Sequence, residues 1–390
     1  MRIHEYQAKE ILSRYGVPMP EGRVVREVEE ALETAESLGG YPLAVKAQVP
    51  GSRRARAGGI RIARNAEEVR KYADAMLGSC IAGGQVDQLL IERNVNIARE
   101  MFVAITIDRS RRMPVLIVSG TGGMDVEEVL ATEPQHIQFL PIQPGLGICD
   151  FQIRQARYFL DIGPDSHAIF ERILRSLEQI MLNYDAMTVE INPLVLDQQD
   201  RMIACDVTLE FDENALPLHG DIEALREAWR EPECVTKARE LGMTYVGLQG
   251  RIGCLVNGGG LGMAVADLVA DAGGEAAALL DIGSRLQAEL IAEALRLLAS
   301  DESVRVVLIC IFGGLVRCDR IVEAILTAGR KHELKVPMVA CLTGANEDQA
   351  MDKTEGTALI LKPSIGEAAA EAVRLGPSDP SRSGERRGVS

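Results

Sequence analysis

At 390 residues the chain is too long for one ordinary hydrophobic core, so two or three domains are expected. It is 47% hydrophobic and 4% aromatic with 37 glycines, which suits a glycine-punctuated α/β protein and argues against a β-sandwich. Its 42 basic and 57 acidic residues leave a net charge of −15, which excludes a nucleic acid held by bulk charge but leaves room for local basic spots that hold small phosphates. No apolar run approaches the ~20 residues that span a bilayer. The opening Met1-Arg2-Ile3-His4-Glu5 has no apolar signal core, so a cytoplasmic protein with no membrane association is expected. The eight cysteines are scattered without a Cys-x-x-Cys pair, and Cys254 and Cys310 sit in apolar strand candidates, which points to buried thiols rather than disulfides or a metal site.

In chain order, the pattern predicts a helix over 4–15 closed by Gly16 and another over 27–38 closed by Gly39-Gly40. An apolar strand over 41–45 ends at Lys46. The loop Pro50-Gly51-Ser52-Arg53-Arg54-Ala55-Arg56-Ala57-Gly58-Gly59 then leads into another strand. Three arginines among flexible glycines can fold over a polyphosphate with their charges and N–H groups facing its oxygens, and a solvated basic turn would read the same way. Glu92 and Glu100 flank the edge of the next strand pair; a glutamate at a strand end can accept from ribose hydroxyls, although exposed glutamates are usually plain surface. A hairpin is predicted from 101–107 and 113–118 around Asp108-Arg109-Ser110.

The most informative stretch follows. Residues 188–196 are β-prone, Asp197-Gln198-Gln199-Asp200 is a polar turn, and 202–209 reads as the return strand. Glu190 and Asn192 are two apart and share a strand face, and folding the hairpin brings Asp206 level with them. Two carboxylates and a carboxamide oxygen on one face form a hard oxygen site of the kind Mg²⁺ uses when it keeps its waters and binds phosphates. The polar face of an ordinary hairpin has the same spacing. Residues 1 to about 235 therefore read as α+β with antiparallel sheet. The charged connector 221–238, with the one tryptophan Trp229, puts the domain boundary near 238.

Beyond Gly250 the rhythm changes. Strand Ile252–Val256, a glycine loop over 257–262 and a helix over 263–272 are followed by a strand over 277–282 and a helix over 287–299. A strand over 304–312 leads through Gly313-Gly314 to a helix over 319–331, and strands over 336–342 and 358–361 complete five. Near-continuous apolar strands between helices mean a parallel sheet covered on both faces. Gly258, Gly283, Gly313 and Gly344 follow the carboxyl ends of strands, the edge where open parallel sheets bind ligands; tight turns alone would also call for glycine there. Residues 376–390 are polar and proline-containing and read as a frayed tail, which gives domains at 1–238 and 239–375.

Taken together, these words resemble one family, the beta subunit of succinate–CoA ligase with its malate–CoA ligase relatives. The matching segments are His4-Glu5-Tyr6-Gln7-Ala8-Lys9, Ala57-Gly58-Gly59, Gly122-Gly123-Met124-Asp125-Val126-Glu127-Glu128, Glu190-Ile191-Asn192-Pro193-Leu194, Val256-Asn257-Gly258 and Ile311-Phe312-Gly313-Gly314-Leu315-Val316-Arg317-Cys318-Asp319. They stand in the family's order from about residue 4 to 345. The resemblance implies a multi-domain α/β protein, with an N-terminal ATP-grasp α+β domain followed by a flavodoxin-like CoA-ligase domain. The implied reaction joins a small dicarboxylate, most simply succinate, to CoA with ATP or GTP and Mg²⁺. A histidine on a partner alpha subunit carries the phosphoryl group, in an αβ or (αβ)₂ assembly. None of His4, His136, His167, His219 and His332 lies in a glycine-flanked phosphohistidine loop, so a partner is expected.

By position, the resemblance implies that Lys46, Arg53, Arg54, Ala55, Glu92, the backbone around Val95, and Glu100 hold the nucleotide. Asn192 and Asp206 hold Mg²⁺, Glu190 orients the partner's histidine, and Asn257 with Gly314, Leu315 and Val316 contacts the carboxylate substrate. The chain departs from the family's pattern in four places. Ser52-Arg53-Arg54-Ala55-Arg56 replaces a glycine-rich phosphate loop, with Arg56 as a stand-in for its lysine, and Thr208 stands where a lysine is common. Gly283-Ser284-Arg285-Leu286 replaces a glycine triplet, and Cys341 an arginine. A malate–CoA ligase subunit and a silent scaffold subunit are the alternatives within the family. A dinucleotide-dependent oxidoreductase is the alternative outside it, because a glycine loop after Ile252–Val256 with Asp281 beyond imitates that motif; Met263, however, falls where its last glycine belongs.

Overall fold

Antiparallel pairing organises the first half of the chain and parallel pairing the second, and the computed structural model divides accordingly into two units, Met1–Arg226 and the remainder from Glu227. Residues 1–49, 54–124, 126–227 and 231–376 are described. Residues 50–53 of the basic loop, Trp229 and all of the expected tail except Gly376 lie outside them.

In the first unit, the strands Gly22–Val25, Leu89–Arg93, Leu43–Ala47 and Ile60–Ala63 form one antiparallel sheet in that order. The helices Val28–Ser37 and Ala66–Met76 pack on it through Ala31, Ala35, Val69 and Ala73. Gly16 and Gly39, at φ of +75° and +73°, close the two helices expected from the sequence, observed as Glu5–Arg14 and Val28–Ser37. A second antiparallel sheet runs Met202–Ala204, Ala186–Asp197, Ile97–Asp108, Met113–Ser119 and Ile137–Pro141, with Val207–Phe211 also paired to Ala186–Asp197. Its core side receives the helices Glu5–Arg14 and His167–Asn183. In the latter helix Phe170, Ile173, Leu174, Leu177, Ile180 and Met181 recur at three-to-four spacing and are buried. Each such side chain contributes about 1.5–3 kcal/mol on burial, so this stripe outweighs the few tenths that propensity supplies.

The return strand expected over 202–209 is split at Cys205-Asp206. The cause is opposite it: Pro193 has no N–H to give the ladder, and the Cys205 carbonyl turns instead to the Lys46 ammonium at 2.7 Å. The register nevertheless brings Asp206 level with Asn192, whose N–H donates to the Asp206 carbonyl at 2.9 Å.

In the second unit, the five expected strands are observed as Ile252–Val256, Ala276–Asp281, Val306–Arg317, Met338–Ala345 and Leu359–Leu361. All are parallel, in the order second, first, third, fourth, fifth, which is the flavodoxin-like order. A sixth strand not anticipated from the pattern, Thr244–Gly247, pairs antiparallel at the edge with Ala276–Asp281. The helices Ala288–Ser300 and Cys318–Lys331 cover one face, and Gly259–Asp271 and Ile365–Leu375 the other. The helix Glu233–Glu240 buries Ala238 with this unit, placing the structural division between Arg226 and Glu227. Among the described residues, no helix is long and apolar enough to cross a membrane.

Gly250 enters the second unit so tightly that a Cβ there would lie 2.1 Å from the Glu275 carbonyl oxygen, whereas one at Gly366 meets nothing within 4 Å. Gly250→Ala is expected to destabilise the protein by about 3 kcal/mol through forced backbone displacement. Gly366→Ala, on the helix Ile365–Leu375, is expected to be neutral or to stabilise by less than about 1 kcal/mol. Urea denaturation of the two variants checks this contrast.

Candidate functional site

Glu5 and Lys9 stand one turn apart and share a face of the helix Glu5–Arg14. The helix start is set by the His4 N–H, which donates to Gln7 Oε1 at 2.9 Å. Around this face the first unit gathers three carboxylates and three cations, all buried except Asp206. Lys9 Nζ meets Glu5 at 2.9 Å and Glu92 at 2.5 Å, and Lys46 Nζ meets Glu5 at 2.9 Å and also pairs with Glu92. Arg54 meets Glu5 at 2.6 Å and Asp206 at 2.7 Å, and donates to the Ala47 carbonyl at 3.1 Å. Gln48, fully buried, donates to Glu5 at 3.3 Å and accepts the Tyr6 N–H at 3.1 Å. With three charges of each sign, the cluster is neutral.

Burial penalises each of these charges, and their neighbours decide the outcome. Burial acts to raise the Glu5 carboxyl, but Lys46, Lys9 and Arg54 outweigh it and hold Glu5 well below the usual carboxylate range. Burial acts to lower Lys46 and Arg54, but Glu5 with Glu92 and Glu5 with Asp206, respectively, leave both raised. Asp206 behaves differently: burial and the nearby Glu5 push its carboxyl up in spite of Arg54. A carboxylate raised in this way gains from an added cation.

Asp206 keeps 28% of its side chain accessible and faces a cleft of about 350 Å³. Glu190, Asn192, Arg54, Ala55 and Arg56 line the same cleft. The three oxygen-bearing residues singled out on the hairpin are thus brought together, beside the basic turn. Arg56 pairs at the surface with Glu128. Asn192 Oδ1 accepts the Gly123 N–H at 2.8 Å and its Nδ2 donates to the Met124 carbonyl at 2.9 Å, so one carboxamide pins the adjacent glycine loop. That loop lies close: Gly123 has φ of +72°, and a Cβ on it would sit 2.6 Å from Glu100 Oε2. The Asn192 and Asp206 oxygens form a hard donor pair, which suits a hydrated Mg²⁺ that takes its other ligands from water and phosphate. Among the described residues, no group of three or more His, Cys, Asp or Glu is placed to hold a metal alone.

The other expected site residues are placed as follows. Lys46 is inside the strand Leu43–Ala47 rather than at its end, and Glu92 is 2% exposed within Leu89–Arg93, tied to two lysines rather than open at a strand edge. Glu100 is half-buried against the Gly123 loop, and burial raises its carboxyl. Val95 is half-buried, with its carbonyl 3.4 Å from Asn94 Nδ2. Arg53 lies outside the described residues.

In the second unit, Asn257 donates to the Phe312 carbonyl at 2.7 Å and accepts the Phe312 N–H at 2.9 Å, joining the ends of two neighbouring strands. Gly314, Leu315 and Val316 belong to an irregular extension of Val306–Arg317 between the pairs Phe312↔Thr343 and Arg317↔Ala345. Val316 is buried there. The Asp281 carboxylate, which the oxidoreductase reading needs, accepts the Gly283 N–H at 2.8 Å. Asp319 is held down to about 2 by the Arg317 guanidinium, which meets its carboxylate at 3.0 and 3.1 Å, with Asn346 donating at 3.1 Å.

Glu5, Lys9 and Gln48 have no role in the sequence reading, yet Glu5 pairs with Lys46 and Arg54, and Lys9 and Gln48 both bind Glu5. The signal was the i,i+4 Glu–Lys pair within His4-Glu5-Tyr6-Gln7-Ala8-Lys9.

Comparison with known proteins gives the family. The family model of the ATP-grasp domain matches residues 2–196, and that of the CoA-ligase family matches residues 255–375. The beta subunit of the ADP-forming succinate–CoA ligase of Aquifex aeolicus (strain VF5) is 40% identical over 383 residues, covering 96% of this chain and 99% of that one. That of Persephonella marina (strain DSM 14350 / EX-H1) is 39% identical over 384 residues, covering 96% and 99%. Among solved structures, ATP citrate lyase from Methanothrix soehngenii, in complex with citrate and coenzyme A, shares the fold with a TM-score of 0.73 at 17% identity, covering 96% of this chain and 99% of that one.

Removing one anion from the buried cluster leaves its cations uncompensated. Glu5→Ala is therefore expected to destabilise the protein by about 3–5 kcal/mol, measured by urea denaturation at neutral pH. Asp319 works through a depressed carboxyl: its contribution is full above the ordinary value near 4 and is lost as pH falls toward about 2. Asp319→Asn is expected to flatten that part of the acid-unfolding curve.

Proposed function

Because the chain belongs to the family of ADP-forming succinate–CoA ligase beta subunits, we propose that it is the nucleotide-handling subunit of an acid–CoA ligase. It would convert a small dicarboxylate, CoA and ATP into acyl-CoA, ADP and phosphate, working with an alpha subunit whose histidine carries the phosphoryl group. The observation that carries this reading is the shared cleft: Glu190, Asn192 and Asp206 face the same space as Arg54 and the basic turn.

On this reading Asn192 and Asp206 hold Mg²⁺, which, when bound, offsets charge on the transferring phosphoryl group. Arg54 and Lys46 neutralise phosphate oxygens by exchanging part of their hold on Glu5 for the incoming anion, while Glu5 and Glu92 keep both cations charged. Glu190 accepts a hydrogen bond from one ring nitrogen of the partner's histidine, which fixes the tautomer and turns the other nitrogen toward the phosphoryl group. Glu100 and the backbone at Val95 contact the nucleoside, together with Arg53 and Ala55 on the phosphate side. In the second unit Asn257 holds the Phe312 segment in register, so that the backbone of Gly314, Leu315 and Val316 presents N–H groups to the carboxylate substrate.

The test is partner phosphorylation. The chain is co-expressed with its alpha-type partner and the complex given ATP labelled on the terminal phosphate with Mg²⁺. Label should appear on a partner histidine, and Glu190→Gln should reduce its rate by on the order of 10³-fold while nucleotide binding is retained. Unchanged labelling in Glu190→Gln overturns the role of Glu190. A stable complex that binds no nucleotide identifies a scaffold subunit instead.

A further inference from the structure

Five carboxylates line the cleft, Glu5, Glu127, Glu190, Asp206 and Glu210, against three guanidiniums, Arg2, Arg54 and Arg56. An anionic ligand entering such a space is met most readily by a cation that need not first release a carboxylate. Arg54 is closed onto Glu5 and Asp206, and Arg56 onto Glu128. Arg2 differs from both: its guanidinium donates to a neutral hydroxyl, Thr208 Oγ1, at 3.3 Å, and its side chain is exposed. A guanidinium carries five donors, and one long bond to a hydroxyl is readily exchanged for a phosphate oxygen.

Its position is built by the fold. Residues 2 and 3 lie antiparallel along Val207–Phe211, with a bridge between Arg2 and Glu210 and the Ile3 N–H on the Leu209 carbonyl at 3.4 Å. Thr208, two residues from Glu210, is the cross-strand partner of Glu190. Directly opposite residues of an antiparallel pair share a face, so Arg2 is tethered across Thr208 from Glu190. We propose that Arg2 is an anion-binding residue of this cleft, contacting the terminal phosphoryl oxygens of a bound nucleoside triphosphate on the Glu190 side. The assignment rests on the reading of the cleft as a nucleotide site. There, a phosphoryl group passing from the Asn192–Asp206 pair toward a histidine at Glu190 travels beside Thr208, and its negative charge, spread over three oxygens, meets the Arg2 guanidinium. Thr208 acts as the holder that keeps the guanidinium at the hairpin when the cleft is empty.

The discriminating measurement is affinity for triphosphate relative to diphosphate, by calorimetry on the complex with its partner. A non-hydrolysable ATP analogue and ADP serve as probes, each with Mg²⁺. Arg2→Ala is expected to weaken the triphosphate analogue by about tenfold and leave ADP unchanged, with partner phosphorylation slowed by on the order of 10²-fold. Thr208→Lys in the Arg2→Ala background, which supplies a cation from the neighbouring position, is expected to recover most of the triphosphate affinity. Circular dichroism melts control for folding of each variant. Equal loss for both nucleotides, loss for neither, or no recovery in the double variant overturns the assignment. A wild-type complex that favours the triphosphate yet never labels its partner overturns the phosphohistidine reading instead, and the ratio of affinities still decides on Arg2.

Discussion

Six charges, five buried and one facing the cleft, hold together segments of the first unit that are far apart in sequence. Glu5 comes from the first helix, Lys46 and Glu92 from the four-stranded sheet, Arg54 from the basic turn, and Asp206 from the break in the hairpin. Their neutrality makes the arrangement possible, since each ion would be too costly to bury alone and each is offset by at least one partner within hydrogen-bonding distance. The same network fixes the geometry of the cleft. Arg54 is drawn to the Asp206 carboxylate, and the Cys205 carbonyl is diverted to Lys46, which opens the strand at Asp206.

Two asparagines in the two units solve a similar problem. Asn192 binds the Gly123 N–H and the Met124 carbonyl; Asn257 binds both backbone groups of Phe312. In each case a carboxamide, with one donor and one acceptor end, satisfies main-chain groups that regular pairing leaves open, and thereby sets an irregular glycine-rich segment in place. Both residues were singled out in the sequence for ligand contact. Their observed partners are main-chain groups, and each carboxamide holds a neighbouring glycine-rich segment in position.

What could be read in advance was whatever repeats locally. The two-residue spacing of Glu190 and Asn192 and the polar turn before Met202 placed three oxygens on one face, and the strand–glycine–helix rhythm beyond Gly250 gave the parallel sheet. Long-range choices were not legible. Glu92 had the look of a strand-end acceptor because nothing near it in sequence shows the two lysines that claim it, one of them 83 positions away. The split of the return strand follows from Pro193 across the hairpin, and the edge strand Thr244–Gly247 has a partner only because Ala276–Asp281 happens to lie open beside it. The division at Arg226 was hidden for a related reason: the helix Glu233–Glu240 is charged and weakly patterned, and a single buried alanine, Ala238, ties it to the second unit.

The closed ionic cluster sits in a molecule whose overall charge is −15. Surface carboxylates repel one another over roughly 8 Å at physiological ionic strength, and dissolved salt shortens that reach. The cluster's ions, mostly withdrawn from water, are screened far less. Raising the electrolyte concentration therefore relaxes the exterior while leaving the interior lattice of charges intact, so the protein should tolerate brine better than its abundance of ion pairs would suggest.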